Sequence, residues 1–264
     1  MAEERIDFYA IRRGVVQGPV LLFLHGFMGS CRDWLPVMER LSDRFSCVAV
    51  DLPGHGQTCC TNPKLYRMET TARLLVDWLQ KNKILSRGIV GYSMGGRLAL
   101  YCALSYPQVF PQAILESASP GLRKSKDRKA RRELDLDRSR AIEIDFLNFL
   151  FHWHQQPLFT SLWKQSGRCE ALVECRLRNN PEGLARSLRE MGTGSQPSLW
   201  LGLKSHSYPL LLLTGESDSK FTTINQEMAS CCPGARHEIL AGVGHNAHVE
   251  DPGAIADRIQ AFMG

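Results

Sequence analysis

Gly91-Tyr92-Ser93-Met94-Gly95 stands where an apolar run ends and a helical pattern begins, and its reading decides the fold. The pattern G-x-S-x-G is weak by itself, but between a strand and a helix it marks a sharp turn with a serine exposed at its tip. Its glycines let neighbouring backbones pass close to that turn. Upstream, Val20-Leu21-Leu22-Phe23-Leu24 and Cys47-Val48-Ala49-Val50 are continuous apolar runs, as strands buried on both faces require. Trp34, Val37, Met38 and Leu41 recur at helical spacing between them, and Leu74, Leu75, Trp78 and Leu79 share a helix face before a strand at 88–92. A helix at 94–105 and a strand at 112–117 follow. Alternation with short connections predicts a mostly parallel, twisted sheet flanked by helices, an α/β architecture.

The alternation stops at residue 119. From 119 to 206 the chain is charged and helical in character, with aromatic clusters at 146–153 and 159–163 and no convincing strand. It resumes at Pro209-Leu210-Leu211-Leu212-Leu213, continues through a helix near 225–229 and a strand at 236–240, and ends in an amphipathic helix from Pro252. Residues 1–118 and 207–264 therefore read as a core. Residues 119–206 read as a helical cap in the same domain, inserted after the sixth core strand and lying over the usual ligand crevice of an open sheet. The length of 264 residues and the 44% apolar content suit one such domain.

Composition excludes several classes. No apolar run approaches the length of a membrane span, and the opening residues MAEERIDFYA are charged where an export signal is apolar, so a cytoplasmic protein without integral membrane contact is expected. The nine cysteines are odd in number, and Cys59-Cys60 and Cys231-Cys232 are neighbours, which points to free thiols. Neither C-x-x-C nor H-E-x-x-H occurs, and no metal is expected. The formal charge of +5 is concentrated between Arg123 and Arg140, where nine Lys or Arg face four acids. Most such residues belong to a solvated helix face, but a basic cluster beside a site suggests an anionic small molecule. Without interleaved aromatics or a binding motif, it does not suggest nucleic acid.

A serine hydroxyl is a poor nucleophile or base until a neighbour takes its proton, so Ser93 needs a histidine and an orienting acid downstream. His245, in Gly242-Val243-Gly244-His245 after the last expected strand, is the first candidate and His248 the second. Asp218, in Thr214-Gly215-Glu216-Ser217-Asp218, follows a strand between the two, with Glu216 as its alternative. The order Ser, Asp, His is the one expected of this architecture. The turn His25-Gly26-Phe27-Met28-Gly29 follows the first buried strand. The backbone N–H of Phe27, with that of Met94 at the helix start, is the expected oxyanion hole. His25 and His55 read as structural.

The stretches Phe23-Leu24-His25-Gly26-Phe27-Met28-Gly29, Asp51-Leu52-Pro53-Gly54-His55-Gly56 and Gly91-Tyr92-Ser93-Met94-Gly95-Gly96-Arg97 resemble the α/β-hydrolase fold in general. More specifically, Arg97, Ser119-Pro120-Gly121-Leu122, Trp153-His154-Gln155-Gln156-Pro157, Asp218-Ser219-Lys220-Phe221 and Gly244-His245-Asn246-Ala247-His248 resemble one branch, the 2-succinyl-6-hydroxy-2,4-cyclohexadiene-1-carboxylate synthases, or MenH family. The resemblance implies a cofactor-free lyase of menaquinone or phylloquinone biosynthesis, which eliminates pyruvate from a substrate with three carboxylates. Ser93, activated by His245 and Asp218, would be its general base. Arg97, Arg131 and Arg176 match the family's carboxylate-binding arginines, with Arg128 or Arg132 alternatives to Arg131 and Arg178 an alternative to Arg176. Tyr92 and Trp153 match its site-lining aromatics.

The competing readings are a serine esterase, thioesterase or carbon–carbon bond hydrolase using the same triad, and a non-catalytic ligand-binding protein of the same fold. Oligomeric state is left open, with a monomer preferred.

Overall fold

The structure is a computed structural model that describes residues 6–164 and 168–264. Among these residues seven strands occur, β1 (Ala10–Gly14), β2 (Val20–Leu24), β3 (Ser46–Val50), β4 (Ser86–Tyr92), β5 (Ala113–Glu116), β6 (Leu210–Gly215) and β7 (Ala235–Leu240). They form one sheet in the order β1-β3-β2-β4-β5-β6-β7, parallel throughout except for β1. Strand residues alternate between its two faces. Leu22, Leu24, Val48, Val50, Ile89, Leu115 and Leu212 enter one apolar cluster; Leu21, Phe23, Cys47, Ala49, Val90, Ile114 and Leu213 enter the other. Because both faces are covered, the central strands carry no polar alternation, which is why they appear in the sequence as unbroken apolar runs.

Helices α1 (Leu35–Leu41), α2 (Met68–Lys81) and α3 (Met94–Ser105) connect the first strands, and α10 (Ser219–Cys231), α11 (Ala247–Glu250) and α12 (Pro252–Met263) follow β6 and β7. Between β5 and β6 the described chain is helical, with α4 (Ser125–Ile144), α5 (Phe146–His154), α6 (Thr160–Trp163), α7 (Arg168–Arg176), α8 (Pro181–Met191) and α9 (Trp200–Lys204). None of the helices is long and apolar enough to cross a membrane, among the described residues.

One expectation needs correction. The helical insertion leaves the sheet after β5, not after a sixth strand. Only one strand precedes β2, because the chain ahead of β1 packs instead of pairing: Ile6 and Phe8 are buried in the core, Phe8 meets the Trp78 ring edge-on, and Tyr9 N donates to Thr58 Oγ1 at 2.9 Å. That one strand, β1, was itself illegible. It pairs with β3 alone, and Arg12 and Arg13 keep its solvated edge polar, so no apolar run announces it. At its other end, β5 stops at Glu116, since Ser117 turns into the left-handed region at φ +48°.

The turn at Ser93 is tight. Ser93 sits at φ +49°, a conformation that costs an L-residue energy and persists only where the surroundings enforce it. The enforcement is steric: a Cβ on Gly91 would come within 2.5 Å of Gly95 O, and one on Gly95 would strike the carbonyls of Leu24 and His25. We expect Gly95→Ala to lose about 1–3 kcal/mol of stability through overpacking against backbone. A urea-unfolding midpoint equal to wild type would contradict this account.

Candidate active site

The C-terminal ends of the parallel strands face one edge of the sheet, and three segments meet there. Ser93 caps β4, Asp218 lies in the turn after β6, and His245 lies in the loop after β7. His245 Nδ1 is 2.8 Å from Asp218 Oδ2, and His245 Nε2 is 3.3 Å from Ser93 Oγ. A carboxylate only accepts, so Nδ1 carries the proton and the Nε2 lone pair faces the hydroxyl, the tautomer that proton abstraction requires. Asp218 Oδ2 also accepts from Ser117 Oγ at 2.7 Å. Tyr92, Phe159 and Phe221 surround the imidazole, with ring centroids 5.2, 6.0 and 4.7 Å away.

Ser93 and His245 open on a cavity of about 310 Å³ between the sheet edge and the helical insertion. Phe27 and Met94 border it, and among the described residues no protein acceptor takes either backbone N–H. Both N–H groups are thus left without a protein acceptor, and Met94 opens α3, where the helix end favours negative charge.

The cavity's charges come in a definite arrangement. Among the described residues five cations line it, Arg97, Arg131, Arg138, Arg176 and Lys220, and no acid does. Arg176 is already matched: Nη1 and Nη2 reach Asp33 Oδ1 and Oδ2 at 2.9 and 2.7 Å, and both side chains are buried. Burial pushes the Asp33 carboxyl up, but the charge and hydrogen bonds of Arg176 outweigh it and hold the carboxyl below its ordinary value. Arg131 and Arg138 share Asp135, at 2.8 and 3.8 Å. Arg97 has no acid partner among the described residues; its Nη1 donates to Met191 O and Gln196 Oε1 at 3.0 and 2.6 Å. Burial, then the charge of Arg131, lowers its pKa to about 10, which still leaves it charged at neutral pH. Lys220 is likewise lowered, by burial first and then by Arg131.

An α/β hydrolase fold family model matches residues 19–252. A 2-succinyl-6-hydroxy-2,4-cyclohexadiene-1-carboxylate synthase of Enterobacter sp. (strain 638) is 37% identical over 246 residues, covering 93% of this chain and 92% of its own. A protein of the same name from Salmonella paratyphi C (strain RKS4594) is 37% identical, covering 93% and 94%. The solved structure of MenH from S. aureus matches with a TM-score of 0.90 at 32% identity, over 100% of this chain and 98% of that one. The chain belongs to the MenH family of α/β hydrolases.

In this MenH-family fold most of the expected site residues converge. Tyr92, Ser93, Met94, Arg97, Phe27, Arg131, Trp153, Arg176 and His245 all border the cavity, and Asp218 stands behind His245. The alternatives do not. Arg128 and Arg132 donate to the carbonyls of Leu122, Arg123 and Gly194, Arg178 is exposed, and Glu216 accepts from Gly242 N. His248 is paired with Glu116, at 2.9 Å from Nδ1 to Oε1, and lies outside the cavity. His25 is structural, its Nε2 accepting from Leu52 N at 2.9 Å.

Sequence reasoning missed Arg138, Lys220, Asp33 and Asp135. Arg131, Leu134 and Arg138 recur at helical spacing and line the cavity together, with Asp135 four residues past Arg131, so that spacing held the signal. Lys220 sits two residues after Asp218. Nothing around Asp33 marked it, since its partner Arg176 is 143 residues away.

Removing one member of a buried ion pair leaves the other charge uncompensated. Arg176→Met should therefore destabilise the protein by roughly 3–5 kcal/mol at neutral pH, and Asp33→Asn combined with Arg176→Met should recover most of that loss. Because the Asp33 carboxyl is held low in the folded state, its stabilisation is present above the unfolded carboxyl's pKa and disappears as pH falls through the folded one. Denaturant titrations of the single and double variants at neutral and acid pH check both statements; equal stability of all three proteins would contradict them.

Proposed function

We propose that this chain is a lyase that eliminates pyruvate from 2-succinyl-5-enolpyruvyl-6-hydroxy-3-cyclohexene-1-carboxylate. The product is 2-succinyl-6-hydroxy-2,4-cyclohexadiene-1-carboxylate, an intermediate of menaquinone or phylloquinone biosynthesis. The observation that carries this reading is a serine–histidine–aspartate relay opening on a cavity that five cations and, among the described residues, no acid line. Asp33, Asp135 and Asp218 offset part of that charge from behind the cavity wall, and the surplus that remains suits a substrate carrying three carboxylates. An esterase acting on neutral substrates has no use for such a surplus.

The residues take the following roles. His245 Nε2 accepts the Ser93 proton, and Asp218 stabilises the imidazolium that results. Ser93 Oγ then takes the ring proton beside the succinyl ketone. The electrons move onto the ketone oxygen, and the developing enolate is held by the N–H groups of Phe27 and Met94, the same donors that a hydrolase would aim at a tetrahedral oxyanion. When the enolate collapses, the ring gains its second double bond and the carbon–oxygen bond to the enolpyruvyl group breaks. The departing enolpyruvate takes the proton held by His245 and leaves as pyruvate. No acyl-enzyme forms, no water is consumed, and the step calls for no metal or organic cofactor.

Arg97 is the principal carboxylate receptor, since it is buried and charged and, among the described residues, no acid hydrogen-bonds it. Arg131 contributes a partly neutralised charge. Arg176 offers the cavity only the donors that Asp33 leaves free. Tyr92 and Trp153 frame the ring. Among the described side chains, eight cysteines are free thiols, which suits a protein working in the reducing cytosol.

Purified protein should release pyruvate from the succinyl-enolpyruvyl substrate and turn over short nitrophenyl esters poorly. Ser93→Ala and His245→Ala should each lower kcat by at least ~10³-fold without unfolding the chain. Brisk ester hydrolysis with no pyruvate formed would favour a hydrolase instead. A separate assay concerns charge: Arg97→Ala should raise KM roughly 10- to 100-fold, because hydrogen bonds to charged groups contribute about 1.5–3 kcal/mol. An unchanged KM would remove Arg97 from the site.

A further inference from the structure

β5 contributes nothing to the relay, yet it lies between β4, which carries Ser93, and β6, which precedes Asp218. The loop bearing His245 comes from β7, on the far side of β6, and must cross the ends of two strands to reach Ser93. Something has to hold that crossing in register, and the last residue of β5 and the one after it make the contacts that do so.

Glu116 O accepts from Ser93 N at 2.9 Å, which fixes the backbone of the elbow. Ser117 Oγ donates to Asp218 Oδ2 at 2.7 Å; among the described residues, only Ser117 and His245 hydrogen-bond that carboxyl, since Asp218 Oδ1 has no partner. Glu116 Oε1 accepts from both His248 N and His248 Nδ1, at 3.0 and 2.9 Å, and so pins the loop three residues beyond His245. His248 is itself clamped between the Trp34 and Tyr92 rings, with centroids 4.6 and 4.5 Å away. All of these side chains are buried, and neither Glu116, Ser117 nor His248 borders the cavity.

We propose that Glu116 and Ser117, together with His248, form a positioning hub that sets the Ser93, His245 and Asp218 side chains against one another. Two adjacent residues hold all three segments of the relay, each by a separate hydrogen bond. The Ser93–His245 contact at 3.3 Å has little slack, and misplacements near 1 Å can cost about 100-fold in rate. The hub acts on the relay alone, so its loss lowers kcat and leaves substrate binding in place. It also assigns His248 a role: a pair that imitates the catalytic one, used to fasten a loop.

The turnover half of the test rests on the function proposed above, and the spectroscopic half does not. Ser117→Gly is the decisive variant. Ser117 sits at φ +48°, where glycine is at ease, so the substitution removes the hydroxyl without straining the backbone. Glu116→Gln keeps the shape and removes the charge. In the full-length protein each is expected to lower kcat for pyruvate release by about 10- to 100-fold with KM within about twofold of wild type. Ser117→Gly should also move the low-field proton resonance of His245 Nδ1–H, assigned by its absence in His245→Ala, while the far-ultraviolet circular dichroism and a cooperative melt show the protein still folded.

Unchanged kcat in both folded variants would overturn the hub, as would a loss confined to KM or an unmoved resonance in Ser117→Gly. Were the wild-type protein to release no pyruvate, the proposed function would fail, and the resonance alone would decide the hub.

Discussion

A carboxylate taken out of water must be given hydrogen bonds in place of those it loses. Asp218 is almost wholly buried, and everything at the sheet edge is arranged around that demand. Its partners are one imidazole and one hydroxyl, brought by the loop after β7 and by the end of β5. Meeting the requirement fixes the tautomer of His245 and turns its lone pair toward Ser93. The strained turn at Ser93, the break of β5 at Ser117 and the long reach of the loop after β7 are the local distortions through which an otherwise regular sheet supplies those bonds.

A second layer of electrostatics lies across the cavity. Cations packed into a partly buried space repel one another, and the lowered values for Arg97, Arg138 and Lys220 record burial first and this repulsion next. Asp135 and Asp33 relieve part of it. Asp33 also ties α7 to the turn ahead of α1, while Arg97 ties the elbow helix to Gln196 and the end of α8. The same charges thus fasten the helical insertion to the sheet and leave a residual positive field in the cavity.

Much of this was legible in the sequence, and the boundary of legibility follows from physics. Strands buried on both faces, such as β2 and β6, print as apolar runs, and the elbow prints as glycines around a serine, so the core and the positions of Ser93, Asp218 and His245 could be read from local pattern and order. The edge strand β1 could not, because Arg12 and Arg13 belong as readily to a loop. Asp33 and Arg176 are 143 residues apart, and nothing local couples them. Glu116 left a trace, a charge at the end of an apolar strand, but its partner His248 looked like a rival for His245 until the packing was seen. Arg131 could be separated from Arg128 and Arg132 only by helical phase against a wall of the cavity that no local pattern describes.

The origin of the residues around the cavity carries one more consequence. Ser93, His245, Asp218 and the two N–H donors all come from the sheet and its connections, whereas Arg131, Arg138, Trp153 and Arg176 come from the helices between β5 and β6. Reactivity is therefore encoded in the core alone, and much of the recognition surface, apart from Arg97 and Lys220 on core helices, in the insertion. Selection can rewrite the second without disturbing the first, and one inherited proton relay can be put to cleaving esters in one lineage and to expelling pyruvate in another by exchanging its roof.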